Sequence, residues 1–129
     1  MNVSRVLAVV VVSCPVVGAS DWPEFRGPNG DNRVSGEKIS TSFPASGPRV
    51  QWSLDVNPGY GGAAVAGDEV YFLDRIDQER DVIRCVGLFD GKERWSWEHE
   101  VAGRISHPGS RGVPTVEKDA VYALSLIHI

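Results

Sequence analysis

The sequence predicts an all-β chain built from antiparallel four-stranded units, and three observations carry that prediction. The first is the stretch 61–95, where short runs rich in Val, Ile, Tyr, Phe and Trp alternate with Gly/Asp turn dipeptides. Gly67-Asp68 separates residues 63–65 from 70–73, and Asp90-Gly91 separates 82–88 from 94–97. This is strand–hairpin–strand spacing and gives four strands in series, one antiparallel meander. The second is an internal repeat. Gly61-x-Ala63-Ala64-Val65-x-x-Asp68-x-Val70-Tyr71-x-Leu73 lines up with Gly112-x-Pro114-Thr115-Val116-x-x-Asp119-x-Val121-Tyr122-x-Leu124 at an offset of 51. The third is Trp52-Ser53, which recurs as Trp95-Ser96 at an offset of 43; the difference falls in a longer loop after the second Trp. A period of this size built from four short strands marks a β-propeller blade. One such sheet cannot bury both faces alone, so blades stack around an axis. The expected architecture is an incomplete propeller: about one and a half blades plus an N-terminal clasp strand.

A family resemblance rests on two motifs. Gly91-Lys92-Glu93-Arg94-Trp95 resembles the Gly-x-x-x-Trp that ends each blade of the pyrroloquinoline-quinone-like (PQQ-like) propeller repeats. Asp21-Trp22-Pro23-Glu24-Phe25-Arg26-Gly27-Pro28 resembles the start of mature, exported PQQ-like repeat proteins of environmental bacteria. The match covers roughly residues 21–124. The family's Asp four residues before the blade's Gly is Gly87 here, so the resemblance speaks for the fold more than for cofactor chemistry.

Residues 1–19 are expected to lie outside the fold. Arg5 supplies a positive start, 6–12 is an apolar run, and Val17-Gly18-Ala19 offers small or apolar residues around a cleavage site. This is a secretory signal peptide, and it places the mature protein in the periplasm or outside the cell. Ser13, Pro15 and Gly18 interrupt a run that would otherwise be read as a membrane span. Val11-Val12-Ser13-Cys14 fits a lipid-attachment box only loosely, and a lipid anchor at Cys14 would leave a very short leader.

Residues 20–48 are rich in Gly, Pro, Ser and Asn and read as an extended leader lying on the propeller. Trp22, Phe25 and Arg26 are its anchors: aromatics bury large areas at low entropic cost, and Arg26 can reach a carboxylate or a carbonyl. Asn29-Gly30-Asp31-Asn32 has the composition of a calcium loop but not its ligand ladder.

The propeller part spans 49–124. Residues 50–56 form the first strand, whose Trp52 matches the blade-ending Trp95. By the resemblance it completes the last blade and clasps the ring by pairing with C-terminal residues of a longer protein. The Gly-rich turn 57–62 carries no phosphate-loop ending, and its Tyr60 is expected to face the central channel of such a propeller. Residues 74–81 read as a solvated, charge-rich hairpin tip. Cys85 is expected to be a small buried hydrophobe, with Arg84 on the opposite strand face. Trp95 and Trp97 share a face and are expected to pack between blades, which outweighs a quinone-stacking role for either. The loop 102–112 is the longest insertion between strands. Arg104, His107 and Arg111, with Tyr60, are the residues that would face a ligand there. His99 and His107 with Glu98 and Glu100 fit no metal-ligand spacing.

Residues 113–124 begin a second blade. The tail, 125–129, continues Leu124 as a hexapeptide that fits the codons CTG TCT CTT ATA CAC ATC, a transposon-end adapter of sequencing libraries. It is expected to be adapter-derived, and the chain a gene fragment.

Composition bounds the function. With 42% apolar and 23% charged residues the chain is globular in type, and with a formal charge of −4 and no basic cluster it is no nucleic-acid binder. The function that the resemblance implies first is a non-catalytic exported propeller that binds protein or cell-envelope partners or assists their assembly. The alternative implied by the resemblance is a quinoprotein dehydrogenase of alcohols or sugars, using PQQ with calcium. That enzyme needs a carboxylate base, calcium ligands and often a vicinal Cys pair, none of which is visible in this sequence.

Overall fold

The computed structural model of the chain describes residues 5–9, 20–37, 40–101 and 108–124. Among them are eight strands and no helix: β1 (Arg5–Val9), β2 (Trp52–Val56), β3 (Ala63–Ala66), β4 (Glu69–Ile76), β5 (Arg80–Gly87), β6 (Glu93–Glu100), β7 (Thr115–Glu117) and β8 (Ala120–Tyr122). They form three antiparallel sheets, β1-β2, β3-β4-β5-β6 and β7-β8. The all-β class and the four-stranded meander expected from 61–95 are both present, with β4 and β6 longer than the sequence suggested.

Turn chemistry sets these strands. Gly67 (φ 57°) lets the chain reverse between β3 and β4, and Lys118 (φ 54°) holds the same place between β7 and β8. Asp77 and Gln78, with φ of 52° and 59°, close the β4–β5 hairpin. Two successive left-handed residues match the twist of paired strands, so β4 runs on to Ile76 and β5 starts at Arg80.

The second hairpin copies the first residue for residue. Ala64 faces Tyr71, Val65 faces Val70 and Ala66 faces Glu69. Thr115 faces Tyr122, Val116 faces Val121 and Glu117 faces Ala120. Every partner is displaced by the offset of 51 read in the sequence.

The β4 part of the four-stranded sheet is covered on both faces. Side chains alternate across a strand, so β4 and β5 divide their apolar residues between two clusters. Ala64, Tyr71 and Cys85 lie on one face, where Val113, Val116 and Val121 of the second hairpin pack. Val70, Phe72 and Val86 lie on the other, under Trp52, Leu54 and Val56 of β2. Burying a side chain such as Phe72 or Val70 contributes about 1.5–3 kcal/mol. Coverage on both sides is why β4 is buried nearly throughout, while β6, the outer edge strand, is exposed along its whole length.

Gly87 also finds its reason. A β-carbon there would collide with the Asp90 carboxylate and the Arg94 guanidinium. Asp90 and Arg94 pair at 3.3 Å. A register shift opposite Cys85 and Val86 leaves Arg94 without a cross-strand partner on β5, and such bulges re-aim a side chain. The ion pair thus fills the space that a side chain at position 87 would take.

Two expectations are corrected by the structure. Residues 74–81 are not a solvated tip: Asp74 and Arg75 are buried in β4, and the exposed turn is confined to 77–79. Residues 1–19 are not wholly outside the fold: Arg5–Val9 forms β1, antiparallel to β2. Strand β2 has an edge that no other described strand takes, and unpaired edges recruit β-prone apolar segments. Cys14 and the 125–129 tail lie outside the described residues. No helix among the described residues is long and apolar enough to cross a membrane.

Candidate binding groove

Packing a two-stranded hairpin on a four-stranded sheet leaves the outer part of the larger sheet bare. Strands β3 and β7 meet at the inner edge, and β7-β8 stops at Tyr122. Beyond β8 the face of β5 and β6 is uncovered, and the result is a groove of about 890 Å³. Leu73, Ile83, Trp95 and Trp97 line it from one face of the four-stranded sheet, and Val121 and Leu124 line it from the second hairpin and the residues after it. Asp81, His99, Arg111 and Asp119 line its polar margin. The lining is mostly apolar, which is the composition of a binding cleft with a few orienting polar groups.

The two tryptophans share a strand face, as their i, i+2 spacing requires. Trp95 tilts against Tyr71 with ring centroids 6.0 Å apart, and Trp97 stacks on His99 at 5.8 Å. Trp95 remains 39% and Trp97 55% exposed. Both indoles thus leave part of their surface uncovered beside the groove.

The floor is rigid. Arg75 pairs with Asp81 and donates to the carbonyls of Gln78 (2.8 Å) and Val101 (3.1 Å). Asp74 accepts from the Asn57 backbone N–H at 3.1 Å, from its side-chain amide at 3.3 Å and from the Arg75 N–H at 2.8 Å. Arg84 reaches Asp74 at 3.6 Å and Glu93 at 3.0 Å and lies over the Phe72 ring. This network ties the end of β2 to β4 and β5. Sequence reasoning missed it, because charges near a hairpin end look the same whether solvated or buried.

Tyr60 and Arg111 come together: the guanidinium lies 5.8 Å from the ring centroid. Their loops interlock through the Ser110 carbonyl, which accepts from Tyr60 (2.7 Å) and Gly61 (3.1 Å) N–H groups. Ser110 Oγ donates to the Leu73 carbonyl at 2.6 Å. Arg111 borders the groove, whereas Arg104 and His107 lie outside the described residues. Gly61 packs on the Gly112 carbonyl so closely that no side chain fits. The repeat had shown these two glycines as equivalents but not as neighbours.

The leader anchors elsewhere. Trp22 exchanges two backbone hydrogen bonds with Val65 (2.8 and 2.9 Å), and the Pro23 carbonyl accepts from Val116 N–H (2.8 Å). Gly27, buried and at φ 78°, lies against the Trp22 ring. Phe25 is 72% exposed and Arg26 is exposed too, so neither docks as the sequence suggested. The Arg26 carbonyl instead closes the turn by accepting from Asn32 N–H (2.9 Å).

Cys85 is a free, buried thiol. Burial first, then neighbouring Glu69, push its pKa up to about 11. Tyr71, hydrogen-bonded to Glu69 at 2.6 Å, is raised too, again chiefly by burial. A thiol so held is no nucleophile at neutral pH. Among the described residues no three His, Cys, Asp or Glu side chains gather closely enough to hold a metal ion. Comparison with known protein families, curated proteins and solved structures finds no match for this chain.

Proposed function

We propose that the chain is part of an exported, PQQ-like β-propeller repeat protein that serves as a non-catalytic binding or assembly scaffold. One observation carries this reading: the hairpin β7–β8 repeats the register of β3–β4 at an offset of 51 residues and packs on the face of the sheet that contains β3–β4. Repeats that stack in this way build broad surfaces from sheet faces and connecting loops. The surface on offer here is the indole-walled groove, with Arg111 and Tyr60 in the interlocked loops beside it. Its occupant on this reading is an apolar, extended segment of a protein partner. The leader Asp21-Trp22-Pro23 supports the same reading, because it bonds equivalent valines of successive units.

The test is a titration of the purified chain with a short apolar strand-forming peptide, followed by acrylamide quenching of tryptophan fluorescence. The scaffold reading expects saturable protection that Trp97→Ala weakens. In parallel, PQQ with calcium should give no saturable change; saturable quenching by that pair, without protection by the peptide, would overturn the proposal in favour of a quinoprotein dehydrogenase.

A further inference from the structure

The pairing of β1 with β2 reproduces the pairing of β5 with β6. By the offset of 43, Trp52, Ser53 and Leu54 of β2 stand where Trp95, Ser96 and Trp97 stand in β6. Across from them, Val9, Ala8 and Leu7 face Trp52, Ser53 and Leu54. Cys85, Arg84 and Ile83 face Trp95, Ser96 and Trp97. Arg5–Val9 therefore occupies, position for position, the seat that β5 takes on β6. The sequences agree as well: Val6, Leu7 and Val9 correspond to Val82, Ile83 and Cys85, an apolar–apolar–x–apolar pattern in both.

We propose that the edge of β2 is a strand-exchange site whose proper occupant is the third strand of the repeat to which β2 belongs, and that Arg5–Val9 holds the seat in its place. This rests on reading β2 as the outer strand of a repeat. Two features favour exchange. The seat is defined by backbone pairing, which any strand of compatible pattern can supply. Strand β2 is itself held independently of β1, through Trp52, Leu54 and Val56 on the central sheet and through Trp52 Nε1, which donates to the Leu88 carbonyl at 2.8 Å. Removing Arg5–Val9 thus opens an ordered edge. A leader that occupies this edge keeps the repeat's own strand out until the leader is cleaved.

The experiment is amide hydrogen exchange on the full chain with a peptide spanning residues 80–87 and carrying Cys85→Ser. The expected result is that saturating peptide lowers the protection of the Arg5–Val9 amides by about tenfold or more while those of Trp52–Val56 stay protected. A scrambled peptide has no effect. Leu7→Pro, which removes a backbone donor from β1, lowers the peptide concentration required. The proposal is overturned if Arg5–Val9 is unaffected by the peptide, or if β2 loses protection together with β1 while β3–β8 remain protected. In either case the repeat reading survives. Lack of protection across β3–β8 in the chain alone would sink the repeat reading, and the seat with it.

Discussion

The Trp52 indole lies against Gly91, so close that a β-carbon at that position would fall 2.6 Å from the ring. Gly91 sits at φ 64°, and the same indole donates to the Leu88 carbonyl, three residues earlier in the same turn. The tryptophan of β2 thus rests on the glycine turn between β5 and β6, which on the proposed repeat reading is the turn of the next unit. Trp95, its counterpart in the following unit, has no such turn above it among the described residues, and it faces the groove instead.

Gly91→Ala meets both a left-handed backbone and the indole. It should destabilise the fold by about 2–4 kcal/mol. Gly67→Ala has the backbone problem alone, since open space surrounds it, and should cost about 1 kcal/mol. Urea midpoints of the two variants check this; equal losses would mean that Trp52 does not rest on the turn.

Trp22→Ala should weaken the attachment of the leader to both hairpins by about 2 kcal/mol, a half-buried fraction of a full indole deletion. Phe25→Ala should stay within about 0.5 kcal/mol of the parent, as an exposed substitution does. Limited proteolysis of the segment 20–37 reads the difference: faster cleavage in the first variant, unchanged cleavage in the second.

Asp74→Ala removes the acceptor of three hydrogen bonds and the partner of Arg84. Asp74 is buried and the Arg75 N–H with it, while Asn57 is exposed and Arg84 keeps Glu93, so the loss should be about 1–3 kcal/mol. Asp74→Asn keeps one carbonyl acceptor and should lose less. Comparing the urea midpoints of these variants tests whether the network ties β2 to the central sheet; a loss no larger than that of a surface variant would say it does not.

The pH dependence follows from Cys85 and Tyr71, both shifted upward in the fold. A group that is neutral when protonated and has a raised pKa in the folded state stabilises the fold below its ordinary pKa. That contribution is lost as pH rises through the folded pKa. For Cys85 the window runs from its ordinary 9.0 to about 11. Stability should be flat from neutral pH to about 9 on this account and then fall, with Tyr71 extending the fall further. Cys85→Ala should shallow the drop without abolishing it, as urea midpoints at several pH values would register.

Much of the fold was legible because its signals are local. Gly67-Asp68 and Asp90-Gly91 mark turns, and the offsets of 51 and 43 mark equivalent strands. What stayed hidden depends on partners distant in sequence. Nothing local says that Asp74 is buried, since its burial depends on Asn57 and Arg84. The Asp77-Gln78 turn lacks the usual glycine, so the strands beside it looked shorter than they are. The seat of Arg5–Val9 was hidden by its apolar composition, which reads equally as a leader. Loop length pointed to Arg111, which lines the groove, whereas the bond from Ser110 to the Leu73 carbonyl had no signal, because a hydroxyl on a carbonyl has no spacing rule.

Cross-strand proton contacts in the folded chain test the repeat most directly. The account predicts that Val116 and Val121 show the same close pair contacts as Val65 and Val70, and that Val116 also approaches Pro23 as Val65 approaches Trp22. A second hairpin in a shifted register, or one that makes no contact with the leader, would contradict it.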